Sequence, residues 1–187
     1  MLAYAFWHWK RPGAAATDYE ERQRQFHAAL AAAPAPGFRE SFCAALSGAP
    51  WAGGGDAYED WYSVEDFAAL GALNQFAVTA SRAAAHDAAA AIVDDGAGGI
   101  YGLRVGSAIA APAFAYWFGK PPGMTYAELF AICAPSLERS GGGLWMRQMV
   151  LGPAREFCVR SAVPVVLPSA LDTLCIPLRP VWPELPN

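Results

Sequence analysis

The sequence predicts an α+β fold made of tandem ferredoxin-like units of the order βαββαβ, the second of them incomplete. Short aromatic-rich segments typical of strands alternate with longer segments of helical periodicity. Several motifs near the N terminus recur in the same order in the second half of the chain. Of the 187 residues, 55% are apolar and 16% are charged, which is enough to form a core and excludes a disordered chain. We expect a first unit over residues 1–106 and a divergent second unit over residues 113–187, with a proline-rich C-terminal segment.

The first strand and the first helix are predicted at the N terminus. Residues 2–9, LAYAFWHW, are typical of a buried strand, and residues 10–13, KRPG, end it. Thr17 and Glu20 have the spacing of a capping box, so the helix is expected to begin near Asp18.

The remaining elements of the first unit follow in the same way. Strands are expected over residues 38–46 and 58–63. Apolar residues three and four apart predict one long helix over residues 67–93. The segment 94–99, DDGAGG, is interpreted as the turn that ends this helix, and residues 100–105 as the fourth strand.

The second unit begins with the motifs of the first. The segments AYAF, KRPG and TDYE recur in the same order as AYWF, KPPG and TYAE, which begin at residues 115, 120 and 125. A helix is expected after the second capping motif, but no second long helix follows it. Further strands are expected over residues 144–151, 156–160 and 172–178.

Charge and cysteine content limit the partners and the compartment. The net charge is −4 and the arginines are dispersed, which argues against nucleic acid and against an anionic membrane surface. The sequence contains neither a signal peptide nor an apolar run of ~18 residues, so a cytoplasmic location is expected. No metal-ligand spacing is present, and no metal is expected. The four cysteines are expected as buried free thiols: Cys43, Cys133, Cys158 and Cys175.

The element order and the repeated motifs resemble the dimeric α+β barrel superfamily. That group includes small cofactor-free monooxygenases, muconolactone-isomerase-type proteins, YCII-type proteins and haem-binding relatives. The resemblance implies antiparallel sheets packed face to face as a barrel, formed within one chain or by a homodimer. It also implies a ligand cavity, either between the sheet and the helices or inside the barrel.

The first strand presents two different faces. Tyr4, Phe6 and His8 alternate with the small residues Ala3 and Ala5. Because alanine allows a helix to pack closely, we expect the alanine face under a helix and Tyr4, Phe6 and His8 toward the cavity. His8 is a candidate general base, since an imidazole exchanges protons near neutral pH. The alternative is a hydrogen-bonded histidine at the end of a strand.

The third strand supplies the second catalytic candidate. Tyr58, Asp60 and Tyr62 share one face, and the first and third strands are neighbours in a βαββαβ sheet. Asp60 is therefore expected beside His8, with the tyrosines binding the ligand; the alternative is a face exposed to water. Arg147 is a further candidate ligand anchor, as are Arg104 and Gln148, although surface salt bridges would explain the arginines. A register error of one residue would instead form the patch from Trp7, Trp9, Glu59 and Trp61.

These observations lead to two functional hypotheses. One is a small-molecule enzyme without a cofactor, such as an oxygenase or an isomerase. The other is a non-catalytic ligand-binding or protein-interaction module on the same fold. Haem is the alternative cofactor, with His86 as its candidate ligand and His27 as a second one; both histidines are otherwise explained as exposed polar residues.

Overall fold

The computed structural model is a single closed barrel of eight antiparallel strands, with helices on its outer surface. It describes residues 1–53, 56–149 and 151–184. Within these ranges, no helix is both long enough and apolar enough to span a membrane. The elements in chain order are β1 Leu2–Lys10, α1 Ala16–Ala32, β2 Phe38–Leu46, β3 Ala57–Val64, α2 Phe67–Phe76, α3 Ala83–Ala90, β4 Val93–Gly106, β5 Phe114–Phe118, α4 Tyr126–Ser140, β6 Gly143–Gln148, β7 Phe157–Ser161 and β8 Leu174–Trp182.

The strand order around the barrel is β1-β3-β2-β8-β5-β7-β6-β4. The first four strands are adjacent as β4-β1-β3-β2, and the last four as β8-β5-β7-β6. The two groups join through the pairs β2–β8 and β4–β6, which close the barrel. Helices α1 to α3 cover the first group, and α4 covers the second. The predicted mixed α+β barrel is therefore observed within one chain.

The interior of the barrel is aromatic, and it reverses the predicted orientation of β1. Ala3 and Ala5 face this interior and not a helix. Indole and phenol rings from five strands meet there, and the small alanines make room for them. Tyr4 and its neighbours on the other face therefore point outward, toward the helices. The large rings of the interior are Trp7, Trp61, Tyr101, Trp117 and Trp145.

A buried ion pair crosses this aromatic interior. The Arg160 guanidinium contacts the Glu59 carboxylate, and Trp7 Nε1 donates to Glu59 Oε2 at 2.9 Å. The guanidinium also lies over the Trp61 ring, 4.1 Å from its centroid. The alternative patch of Trp7, Glu59 and Trp61 is thus part of the barrel interior.

The helix predicted over residues 67–93 is interrupted. Helix α2 ends at Phe76, and a short 3₁₀ turn at Ala80–Arg82 precedes α3. Arg82 explains the break, because its guanidinium donates to the Phe76 carbonyl at 2.6 Å and to the Ala33 carbonyl at 2.7 Å. A side chain can thus satisfy carbonyls that the end of a helix leaves without partners.

The glycine-rich segment 94–99 is part of strand β4 and not a turn. It pairs with β1, whose aromatic rings lie directly over the glycines. A Cβ atom on Gly96 would lie 2.6 Å from Phe6 Cε2, and one on Gly98 would lie 2.8 Å from Tyr4 Cε2. Glycine is required here because the rings occupy the space of a side chain.

The two capping motifs have different outcomes. Thr125 accepts from the Glu128 amide at 3.2 Å, and Glu128 Oε2 accepts from the Thr125 amide at 2.8 Å, so this capping box is confirmed. The prediction for Thr17 is wrong, because α1 begins at Ala16. Glu20 instead pairs with Arg179 of β8, which takes it away from the helix terminus.

Three of the four cysteines are buried, as expected, whereas Cys175 is exposed.

Candidate functional site

A cavity of about 810 Å³ lies between the outer face of β1 and β3 and the helices α1 to α3. Its walls are mainly apolar, with Phe26 and Leu30 from α1, Leu73 from α2, and Tyr4 and Phe6 from β1. One face of α1 lines the cavity, and α2 and α3, on either side of the break at Ala80–Arg82, line it as well. It has the size of ordinary small-molecule sites.

His8 and Asp60 meet at the floor of this cavity. They lie on neighbouring strands, and His8 Nε2 is 3.3 Å from Asp60 Oδ1. Both side chains are buried. The strand order and the alternation along each strand bring them together, although on the outer face of the barrel and not inside it.

A tyrosine of α1 holds the His8 ring from the other side. Tyr19 Oη and His8 Nδ1 are 2.5 Å apart. Burial, and then the Asp60 charge, raises the pKa of Tyr19, so its hydroxyl keeps its proton. His8 Nε2 has no hydrogen-bond partner within the described residues. The atom of His8 nearest to Asp60 is therefore the one left for a ligand.

Asp60 is the centre of a wider hydrogen-bond network. His27 Nε2 lies 3.1 Å from Asp60 Oδ1, and the Tyr62 hydroxyl donates to Asp60 Oδ2 at 2.6 Å. Burial alone would raise the pKa of Asp60, but the attraction of its carboxylate to the adjoining imidazoles of His8 and His27 outweighs it and holds that pKa well below its usual range. Burial and the Asp60 charge hold the pKa of Tyr62 well above its ordinary value. Asp60 is therefore ionised and Tyr62 is a hydrogen-bond donor.

Tyr58 packs against two residues of the site, His8 and Tyr19. Its ring centroid stacks 5.9 Å from that of His8 and lies 4.7 Å from that of Tyr19 in a tilted arrangement, and its hydroxyl donates to Glu20 at 3.2 Å. Burial, then Glu20, raises the pKa of Tyr58. The tyrosine that was expected in the ligand pocket thus packs against the ring of the catalytic candidate.

Arg147 is not brought to His8. It lies on β6 in the other half of the barrel, where it donates to the Ala154 carbonyl at 2.7 Å and lines a separate cavity of about 490 Å³. Arg104 donates to Gln148 at 2.8 Å, so these two candidate anchors bond to each other on the surface.

The two haem candidates lie in different environments. His86 of α3 lines the cavity, packs edge-on against Phe26 and places its Nδ1 3.0 Å from Asp87 Oδ1. His27 is buried, and Ser41 Oγ lies 2.7 Å from its Nδ1 while Asp60 engages its Nε2. His27 is thus a member of the Asp60 network and not an exposed residue.

Sequence reasoning did not single out Tyr19 and Gln23 as site residues, and it offered His27 only as a candidate haem ligand. Tyr19, Gln23 and His27 follow one another at intervals of four, and they are buried on α1 together with Phe26 and Leu30. Polar residues on a buried helix face are the signal that would have found them.

Comparison with known proteins supports the architecture. No protein-family model matches the sequence, and no curated protein matches it. A solved structure described as an anthrone oxidase-like protein is similar in fold, with a TM-score of 0.51 and 8% sequence identity. The similarity covers 87% of this chain and 73% of that one. At this identity, what is shared is the barrel fold.

Proposed function

We propose that this protein binds a small, weakly acidic aromatic molecule in the cavity over β1 and β3 and removes a proton from it. The observation that carries the proposal is the His8–Asp60 pair, buried at the floor of an apolar cavity of about 810 Å³. A base in an apolar pocket beside a carboxylate is a recurring arrangement for proton abstraction.

The proposed base is His8 Nε2. In the tautomer with its proton on Nδ1, the ring donates to Tyr19 and leaves Nε2 free to accept a proton from the ligand. The imidazolium that forms has its charge 3.3 Å from the Asp60 carboxylate, which stabilises it. Tyr62 and His27 hold the carboxylate in place while the charge develops.

The carbanion formed in this step can react in two ways. Return of the proton to another carbon gives an isomer. Addition of dioxygen gives a peroxide that loses water, so a CH₂ group becomes a carbonyl, one oxygen atom entering the product and the other leaving as water. The description of the structural neighbour as anthrone oxidase-like favours the second fate, and an aromatic ketone as the class of ligand.

We also propose that the two halves of the barrel are divergent copies of one ferredoxin-like unit. The strand order β4-β1-β3-β2 corresponds to β8-β5-β7-β6 when each half is numbered from its own first strand. Each half also opens with a strand followed by a helix.

Binding and proton exchange are measured separately to test the proposed activity. Anthrone binding is followed by quenching of intrinsic fluorescence, and exchange of its acidic CH₂ protons with deuterium is followed by NMR without dioxygen. We expect His8→Gln to bind anthrone within about threefold of the unaltered protein, and to slow enzyme-dependent exchange by about 10²-fold or more. Tyr126→Phe, an exposed position on α4, is the control and is expected to change neither.

The outcomes distinguish the two functional hypotheses. Binding without accelerated exchange in the unaltered protein would overturn the catalytic proposal and support a non-catalytic ligand-binding module. Absence of anthrone binding would overturn the proposed class of ligand and, with it, the catalytic proposal.

A further inference from the structure

Three potential metal ligands converge beneath the cavity floor. The ligand atoms of His27, Cys43 and Asp60 all lie within 4.8 Å of one another, and all three residues are buried. Cys43 lies directly opposite Asp60 in the β2–β3 register, and His27 reaches them from α1. The sequence shows no metal-ligand spacing because the three residues come from three separate elements.

The neighbours of this cluster orient its ligand atoms. Ser41 Oγ lies 2.7 Å from His27 Nδ1, which leaves Nε2 directed at Asp60 Oδ1 at 3.1 Å. The Tyr62 hydroxyl donates to Asp60 Oδ2, which leaves Oδ1 for a metal. Hydrogen bonds of this kind fix the tautomer and the direction of metal-binding imidazoles and carboxylates.

A second observation points to the same place. His8 Nε2 is buried and has no hydrogen-bond partner in the described parts of the chain, yet it lies 3.3 Å from Asp60 Oδ1. A buried polar atom without a partner is uncommon. A cation bound at Asp60 would give this nitrogen a partner.

We propose that His27, Cys43 and Asp60 form a binding site for a divalent transition metal, with Zn²⁺ as the best match. Nitrogen, sulfur and carboxylate oxygen together are typical zinc donors, whereas Mg²⁺ and Ca²⁺ prefer oxygen alone. Ligand atoms at bond lengths of about 2.0–2.1 Å on a tetrahedral ion lie about 3.3 Å apart. The observed 3.1 Å between His27 Nε2 and Asp60 Oδ1 is close to that separation.

This site goes beyond the proposed function, although the two share Asp60 and His8 Nε2. Of the three ligands, Asp60 is the one that also lines the cavity, so a metal would reach the site from there. Anthrone binding and proton exchange are measured on chelator-treated protein, and metal binding is measured without anthrone. Failure of one proposal therefore leaves the other standing.

Cobalt(II), which reports on its ligands by absorption, is the probe for this site. The full chain is freed of metal with a chelator and titrated with Co²⁺, and we expect ligand-field bands of a four-coordinate ion together with a thiolate-to-cobalt charge-transfer band. Both should saturate at about one equivalent, and Zn²⁺ should displace them. Cys43→Ser should remove the charge-transfer band, whereas Cys175→Ser, at the exposed cysteine, should keep it.

A milder variant tests the positioning of the site without removing a ligand. Ser41→Ala should weaken Co²⁺ binding by about 10- to 100-fold while leaving the charge-transfer band in place at saturation. The proposal is overturned if the unaltered protein shows no charge-transfer band. It is equally overturned if the band persists in Cys43→Ser or disappears in Cys175→Ser, because the metal would then bind elsewhere.

Discussion

Removing Arg160 from the barrel interior should destabilise the protein more than any surface substitution. Arg160 and Glu59 are 2% and 1% exposed, so neither charge can turn to water when its partner is lost. Among the described residues, Arg160→Met leaves the Glu59 side chain with only the Trp7 indole N–H as a donor. Breaking one side of a buried ion pair costs about 3–5 kcal/mol. For a chain of this length, about 2–4 °C of melting temperature accompanies each kcal/mol, so a loss of about 6–20 °C is expected.

A double-variant cycle separates the ion pair from the packing around it. Glu59→Gln combined with Arg160→Met removes both charges and keeps an acceptor for Trp7, so the double variant should be more stable than Arg160→Met alone. Arg39→Met is the matched control, since Arg39 and Glu65 form an ion pair in which both side chains are about half exposed, and a loss below about 1 kcal/mol is expected. The free energy of unfolding is measured by urea denaturation. A cost for Arg160→Met no greater than that of Arg39→Met would refute the reasoning.

Four further predictions concern the helices, the cavity and acid stability. Thr125→Ala should lose about 1 kcal/mol in urea denaturation and Thr17→Ala almost nothing, because only Thr125 caps a helix; equal losses would contradict the assigned helix starts. Gly71→Ala should raise the free energy of unfolding by about 0.5–1 kcal/mol, since Gly71 lies inside α2 with nothing within 4 Å of an added Cβ. Gly71→Phe should instead weaken anthrone binding by filling the cavity that this residue lines, and unchanged binding would place the ligand elsewhere. Because the pKa of Asp60 is lower in the folded than in the unfolded state, its contribution to stability is fully present above the unfolded value of about 3.9 and is lost as the pH falls toward the folded value. Urea midpoints measured between pH 6 and pH 3 should therefore fall less steeply in Asp60→Asn than in the unaltered protein, and parallel curves would show that Asp60 is not the group responsible.

The sequence by itself determined those features that depend on neighbouring residues. Strand β2 has the predicted bounds, because a short segment between turn signals is a local pattern. The capping box at Thr125 is as predicted because its donors and acceptors lie within four residues. The proximity of His8 and Asp60 was predicted from the strand order of a βαββαβ unit. This prediction needed the fold class as well as the local pattern.

Only the tertiary structure decided which face of β1 points inward. Both faces are apolar, because helices cover the barrel outside and aromatic rings fill it inside, so alternation alone does not distinguish Ala3 and Ala5 from Tyr4 and Phe6. The inward face of β1 was decided by the volume of the indole rings that distant strands contribute to the barrel interior.

The same reason explains the other differences between prediction and structure. Gly96 and Gly98 predict a turn locally, but rings from β1 require glycine opposite them in a strand. Arg82, at the break in the predicted long helix, donates to the Ala33 carbonyl, which is 49 residues away in sequence. Cys43 lies opposite Asp60 through the pairing of β2 with β3, and His27 reaches Asp60 through the packing of α1 on the sheet. Both contacts depend on tertiary structure that no local pattern records.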